Sequence, residues 1–251
     1  MKKILILFCL LLLLPVTNLS AEAILVYDDN TTNQRAQNAL TALGLTYTVG
    51  GASNFNTLLE GSSWNLIIVD CPSTVPSWGS LINYVNGGGR AIMSFWDLDN
   101  NGGGGDPNLP GAFDVSVVSD FYSPKDVYRW DISHAIFNNP NAVGDLTGWS
   151  DEWADDGDLL SALSGAQALA GFTASPDPNS AAIVLGNSAR TIYNGFLFDE
   201  LNDPLGQKII ENEITLLLSA SQPIPEPATI LLLGSGLIGL AGYGRKKFFK
   251  K

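Results

Sequence analysis

An α/β fold with a mostly parallel sheet flanked by helices, closing in a late β-hairpin and a C-terminal helix, is predicted by three features of the sequence. Short apolar runs, AILVYDD, TYTV, NLIIVD and RAIMSFWD, alternate with polar stretches of helical character. Each run is dense in Ile, Leu and Val, the composition of strands covered on both faces. Further along, AAIVLGNSARTIYNGFLFD reads as two strands about a turn, with one long amphipathic segment after it.

The first run ends at Asp28 and Asp29. A helix follows, for which Asn30 is a cap, Ala36, Leu40 and Leu43 recur at helical spacing, and Gly44 is the stop. TYTV is the second strand, and NLIIVD is the third, ending at Asp70 and Cys71. GSLINYVNGGG is the next helix, and RAIMSFWD is the fourth strand, ending at Asp97. Past Asp97 the alternation loosens. DVYRWDI and AQALAGF read as strands, and Asn187 and Ser188 place the hairpin turn. Pro204 opens the last helix, whose buried side is Leu205, Ile209, Ile210, Ile214, Leu216 and Leu217.

The two ends are different in kind. Lys2 and Lys3, an unbroken apolar stretch from Ile4 to Leu14, then Pro15 and small or polar residues have the order of a secretory signal peptide, 1–23, cleaved after Ala21 or Ala23. Eleven apolar residues fall short of the roughly 20 that span a bilayer. After the domain, 24–220, come a linker with the PEP residues, 221–227, a segment expected as a short transmembrane helix, 228–244, and a basic cytoplasmic end, 245–251. Basic residues stay on the cytoplasmic side, so the body is expected outside. Pro225 and Pro227 keep the junction extended.

Pro225, Glu226 and Pro227, then ATILLLGSGLIGLAG, then the basic end resemble a PEP-CTERM sorting signal. The resemblance implies a bacterium with an outer membrane, passage through the secretion machinery and signal peptidase, and processing by an exosortase. The protein is then held transiently in the inner membrane before release to the cell surface or extracellular matrix, with exopolysaccharide as an expected neighbour. The body, with its four βα units, looser middle and ARTIYNGFLFDEL ahead of the last helix, resembles the class I glutamine amidotransferase-like domain, a flavodoxin-like arrangement.

Composition limits the chemistry. Between residues 22 and 224 there are 24 Asp and Glu against six Lys and Arg, eighteen net negative charges. Such a body lacks the basic face that nucleic acid requires. Cys9 leaves with the leader, so Cys71 is the one cysteine of the mature chain and has no internal disulfide partner.

Ligands of a doubly wound sheet collect at the carboxyl ends of its strands. Asp28, Asp29, Asp70, Asp97, Asp99 and Asn101 cluster there in sequence terms, as a site for a divalent cation such as calcium or as helix caps. DLDNNGGGGD opens like a calcium loop, but its twelfth position is Asn108, so a Gly-rich loop is the competing reading. GWSDEWADDGD sets Trp149 and Trp153 among acids, either to stack on a sugar or to pin a lid to the domain.

The amidotransferase resemblance implies a nucleophilic cysteine at the turn after the fourth strand, where this chain has Ser94, Phe95 and Trp96. His134 is the sole histidine. A non-catalytic binding or structural domain is therefore expected first. A hydrolase using His134, or a metal at the strand edge, is the alternative.

Overall fold

The computed structural model describes residues 23–219 apart from 30–32, 99, 101–102, 152, 154–156 and 202–203. The expected leader, PEP motif, apolar tail segment and basic end lie outside the described residues, as do Asp99 and Asn101. Among the described residues no helix is long and apolar enough to cross a membrane.

The chain alternates β1 (Ile24–Asp28), α1 (Arg35–Ala42), β2 (Thr48–Gly50), α2 (Phe55–Gly61), β3 (Leu66–Cys71), α3 (Gly79–Asn86), β4 (Ala91–Phe95) and the single-turn α4 (Leu109–Ala112). Then come β5 (Val115–Phe121), β6 (Tyr128–Arg129), β7 (Gly157–Ala162), β8 (Gln167–Gly171), β9 (Ala181–Gly186), β10 (Thr191–Asn194) and α5 (Leu205–Ser219). Short 3-10 turns cover Ala135–Phe137 and Phe198–Glu200.

The sheet runs β2-β1-β3-β4-β10-β9-β7-β5, with β8 also on β9 and β6 on β8. β1, β2, β3, β4 and β10 are parallel, and the remaining pairings are antiparallel. Strand order reverses between β1 and β3, the point of a doubly wound sheet at whose carboxyl edge ligands collect.

The expected α/β architecture, hairpin and last helix are all present. Beyond the parallel half and the hairpin, β5 and β7 add an antiparallel wing that the sequence does not announce. In β5 only Val115 and Phe121 are buried, so VSVVSDF offers little apolar signal. Helix α1 is described from Arg35, with Gln34 left-handed (φ 31°) just before it, and the expected cap Asn30 lies outside the described residues. At the other end Gly44 (φ 69°) closes the helix as expected, its N–H donating to Thr41 O.

Side chains alternate across the sheet and build two cores. Ile24, Val26, Leu66, Ile68, Ile92 and Ile192 meet α1 and α5 on one face. Leu25, Tyr27, Ile67, Val69, Met93 and Phe95 meet α2 and α3 on the other. There the aromatic rings stack edge to face, Tyr27 on Phe55 at 5.2 Å and Trp78 on Phe95 at 5.0 Å.

The hairpin turn falls at the expected residues. Asn187, Ser188 and Ala189 all have positive φ. Asn187 holds them by donating from N–H to Asp114 Oδ2 and from Nδ2 to Ala112 O and Thr191 Oγ1.

Candidate functional site

Strand register turns separate sequence positions into a row. Asp28 lies opposite Asp70, Asp70 opposite Ser94, and Ser94 opposite Asn194. Each follows apolar residues at two-residue spacing that face α1 and α5, so all four share that face at the carboxyl edge. Asp70 is 1% exposed, and neither carboxylate oxygen has a hydrogen-bond partner among the described residues. Burial first, and then the charges of Asp199, Asp28 and Asp29, hold its carboxyl well above the usual carboxylate range, opposed by the Ala36 backbone N–H, which lies outside good hydrogen-bond geometry.

The segment after β10 supplies further acids. Asp199 and Glu200 are buried in the 3-10 turn, and Arg35 Nη2 donates to Asp199 O at 3.5 Å. Glu200 Oε1 accepts from Trp153 N–H, and Glu200 O accepts from Ser150 N–H at 2.8 Å. Asp158, at the start of β7, accepts from Leu98 N–H through Oδ2. Glu213 on α5 is fully buried, and Asn194 Nδ2 donates to its Oε2 at 3.1 Å. Among the described residues seven carboxylates are buried (Asp70, Asp97, Asp158, Asp199, Glu200, Glu211 and Glu213) and no lysine or arginine is. Burying a charge costs several kcal/mol per ion, roughly, unless it is paired and hydrogen-bonded. Such groups therefore carry protons, fixed donors, an ion-pair partner or a bound cation.

The acids expected at one edge divide into separate roles. Asp28 Oδ2 accepts from Gln37 Nε2 at 3.0 Å. Asp29 Oδ2 accepts from Thr74 N–H, and burial raises the Asp29 carboxyl. Asp97 Oδ2 accepts from the N–H groups of Gly104 and Gly105, so this carboxylate gathers the glycine loop. Among the described residues no three His, Cys, Asp or Glu side chains stand together as a metal centre.

Trp149 packs edge to face on Phe196 at 5.3 Å and bridges Leu201, while Trp153 is held through its backbone to Glu200. Trp149, Ser150 and Trp153 are thus each tied to the turn that carries Asp199 and Glu200 or to Leu201 just after it. Neither indole N–H has an acceptor among the described residues.

The nucleophile candidates lie apart. Cys71 is fully buried in the α2/α3 core, and its Sγ donates to Thr74 O at 3.2 Å. Burial, with the charges of Asp29 and Asp70 added, pushes the thiol up, away from the thiolate that attacks carbonyls. His134 caps the 3-10 turn Ala135–Phe137, its Nδ1 accepting from Ile136 N–H at 3.2 Å. That turn packs in the α1/α5 core, where Asn212 Nδ2 of α5 donates to Ile136 O. The sheet therefore stands between Cys71 and the segment bearing His134. Ser94 Oγ donates to Phe196 O at 2.9 Å and accepts from Phe198 N–H at 3.1 Å, so it serves as a strap for the segment after β10.

Strand ends disclosed Asp28, Asp29 and Asp70. Asn194, Asp158, Asp199, Glu200 and Glu213 were missed. For Glu213 a signal was available: it stands four residues after Ile209 and four before Leu217, inside the apolar stripe of α5.

Residues 223–246 match the PEP-CTERM protein-sorting motif, which marks an exported protein processed by an exosortase. A search of curated proteins by sequence gives no match. Among solved structures, a protein of Thermoplasma acidophilum assigned as a GMP synthase subunit superposes with a TM-score of 0.54 at 14% identity, over 80% of this chain and 96% of its own. A glutamine amidotransferase of Methylobacillus flagellatus gives 0.48 at 8% identity, over 82% and 97%. The fold is the class I glutamine amidotransferase-like α/β fold. At such identities the likeness extends to fold alone.

Proposed function

We propose that this exported chain is an exosortase-sorted protein of the cell envelope or extracellular matrix, whose amidotransferase-like domain binds or scaffolds and does not catalyse. The observation that carries this reading is the opposition of Cys71 and His134 across the sheet, together with the absence of cysteine at the turn after β4. A thiol or hydroxyl nucleophile needs a base within hydrogen-bond reach. Cys71 is instead bonded to Thr74 O and Ser94 to the segment after β10. In this reading the secretion machinery and signal peptidase act on 1–23, the exosortase acts at Pro225, Glu226 and Pro227, and exopolysaccharide is the surrounding polymer.

The test is made on the tail and the domain separately. Glu226→Ala is expected to leave uncleaved chain in the inner membrane. Recovery of Phe249 or Lys251 in the mature exported protein by mass spectrometry would end the sorting reading. Glutamine or ester hydrolysis by the purified domain, abolished by Cys71→Ala or His134→Ala, would end the non-catalytic one.

A second reading rests on the burial of Asp70 rather than on a ready-made acid cluster: the edge between β1 and β3 takes up a cation, calcium being the one suited to an exported protein. Asp70 is the residue on which this depends, with Asp28, Asp29 and Asp199 as its charged neighbours. A cation that binds only the folded state at tenfold above its Kd adds about 1.4 kcal/mol. Melting in calcium against magnesium and sodium at equal ionic strength tests it. Equal curves would remove the cation from the proposal.

A further inference from the structure

The contact between Asn194 and Glu213 has one bond made and two atoms left over. Asn194 Nδ2 donates to Glu213 Oε2 at 3.1 Å, while Glu213 Oε1 and Asn194 Oδ1 are buried with no partner among the described residues. Both residues are 0% exposed, one at the end of β10 and the other midway along α5. With Glu213 ionised the two orphan atoms are both acceptors, and an acceptor cannot satisfy an acceptor. One proton on Glu213 turns one of them into a donor and satisfies the pair at a stroke.

We propose that Glu213 is a neutral acid in the folded protein, its O–H donating to Asn194 Oδ1 while Asn194 Nδ2–H donates to Oε2. The closed pair of bonds forms a proton-dependent fastener between α5 and β10.

Among the described residues the surroundings supply no competing donor or base. Ser94, the register partner of Asn194, spends its hydrogen on Phe196 O. On α5 itself Glu211 accepts from Asn141 Nδ2 at 2.7 Å and Gln207 Nε2 at 2.7 Å. From the segment packed against α5, Arg129 pairs with Asp145, Asp131 accepts from Ser133 and His134 caps its own turn. Across the carboxyl edge Asp199 and Asp70 act on each other, and Arg35 donates to Asp199 O. Burial pushes Glu213 up to about 8, opposed only by the Asn194 amide. β10 leads directly into the turn bearing Asp199 and Glu200, so loss of the proton loosens the floor of the carboxylate edge. This inference is independent of the sorting and cation readings.

Glu213→Gln tests it, because a glutamine amide reproduces both bonds with Asn194 and has nothing to titrate. In the exported, processed chain the variant is expected to melt within about 2 °C of the native protein at pH 6 and above it at pH 9. The native-minus-variant infrared difference spectrum at pH 6 is expected to hold a protonated-carboxyl carbonyl band, the contribution of Asp70 cancelling because both proteins share it. Parallel loss of stability with pH in both proteins, or no such band, would overturn the proposal. If the variant does not fold, carbon NMR of glutamate-labelled native protein decides: a carboxyl titrating near 8 supports the fastener, and all glutamates titrating near 4.5 reject it.

Discussion

Asp28 and Asp70 end neighbouring parallel strands in direct register, on the same face of the sheet, at the point where strand order reverses. Asp70 is 1% exposed, and burial first, then the charges of Asp199 and Asp28, raise its affinity for a proton. Asp70→Asn keeps the shape and removes the charge. The expected result is a gain of about 2 kcal/mol at pH 7.5 in calcium-free buffer. The gain should shrink toward pH 4, where the native carboxyl is itself neutral. Urea unfolding at the two pH values checks it, and a loss of stability at pH 7.5 would show that the charged form has a counter-ion.

The whole domain should weaken as pH rises from about 4.5 to 9. Glu213, Asp70 and Asp29 all have folded values above their unfolded ones, so in this window the folded state binds more protons and ΔG of unfolding falls. Their contribution is fully present below the unfolded values near 4 and is lost through the folded values, for Glu213 at about 8. Asp145 works in the opposite sense, held low by Arg129, first through its backbone N–H, and this contribution is lost only as pH falls below about 4. Thermal melts at constant ionic strength across this range measure the slope, and a flat profile would contradict the burial of these groups.

Gly195→Ala should destabilise the domain by about 2–3 kcal/mol. A Cβ at Gly195 would lie 2.3 Å from Asp158 O, and one at Gly157 would lie 2.4 Å from Gly195 O, where Gly157 also has φ 136°. The two glycines let the start of β7 touch the end of β10, with Asp158 N–H donating to Gly195 O at 3.0 Å. Chemical denaturation of the variant gives the number, and near-native stability would mean that the wing and the parallel half are less tightly joined.

Cys71→Ala should cost about 0.5–2 kcal/mol and change no activity. Its thiol is enclosed among the residues of the α2/α3 core, and burial holds its proton on. A mild thiol reagent should label it only on unfolding. Rapid labelling of the folded protein would show a reactive thiol and reopen cysteine chemistry.

The sequence by itself determined the strands of the parallel half, the hairpin turn and the last helix, because each is a local pattern: a β-branched run, a turn residue tolerant of positive φ, an apolar stripe. It also determined the sorting motif, which is read as a linear string at 223–246 and needs no fold. The acids at 28 and 70 were legible as strand ends. That they stand in register, and that Ser94 and Asn194 continue their row, was decided only by the tertiary structure, because strand pairing joins residues with no periodic relation along the chain. The same holds for the wing. β5 is the half-exposed edge strand and β7 lies between it and β9, and both carry little hydrophobic signal of their own, so their pairing comes from contact with β9 and Gly195 rather than from local preference. Burial, too, is a tertiary property. Glu213 is an ordinary helix-forming acid in the sequence, and it becomes a 0% exposed carboxyl beside Asn194 only because α5 lies across the sheet at that height.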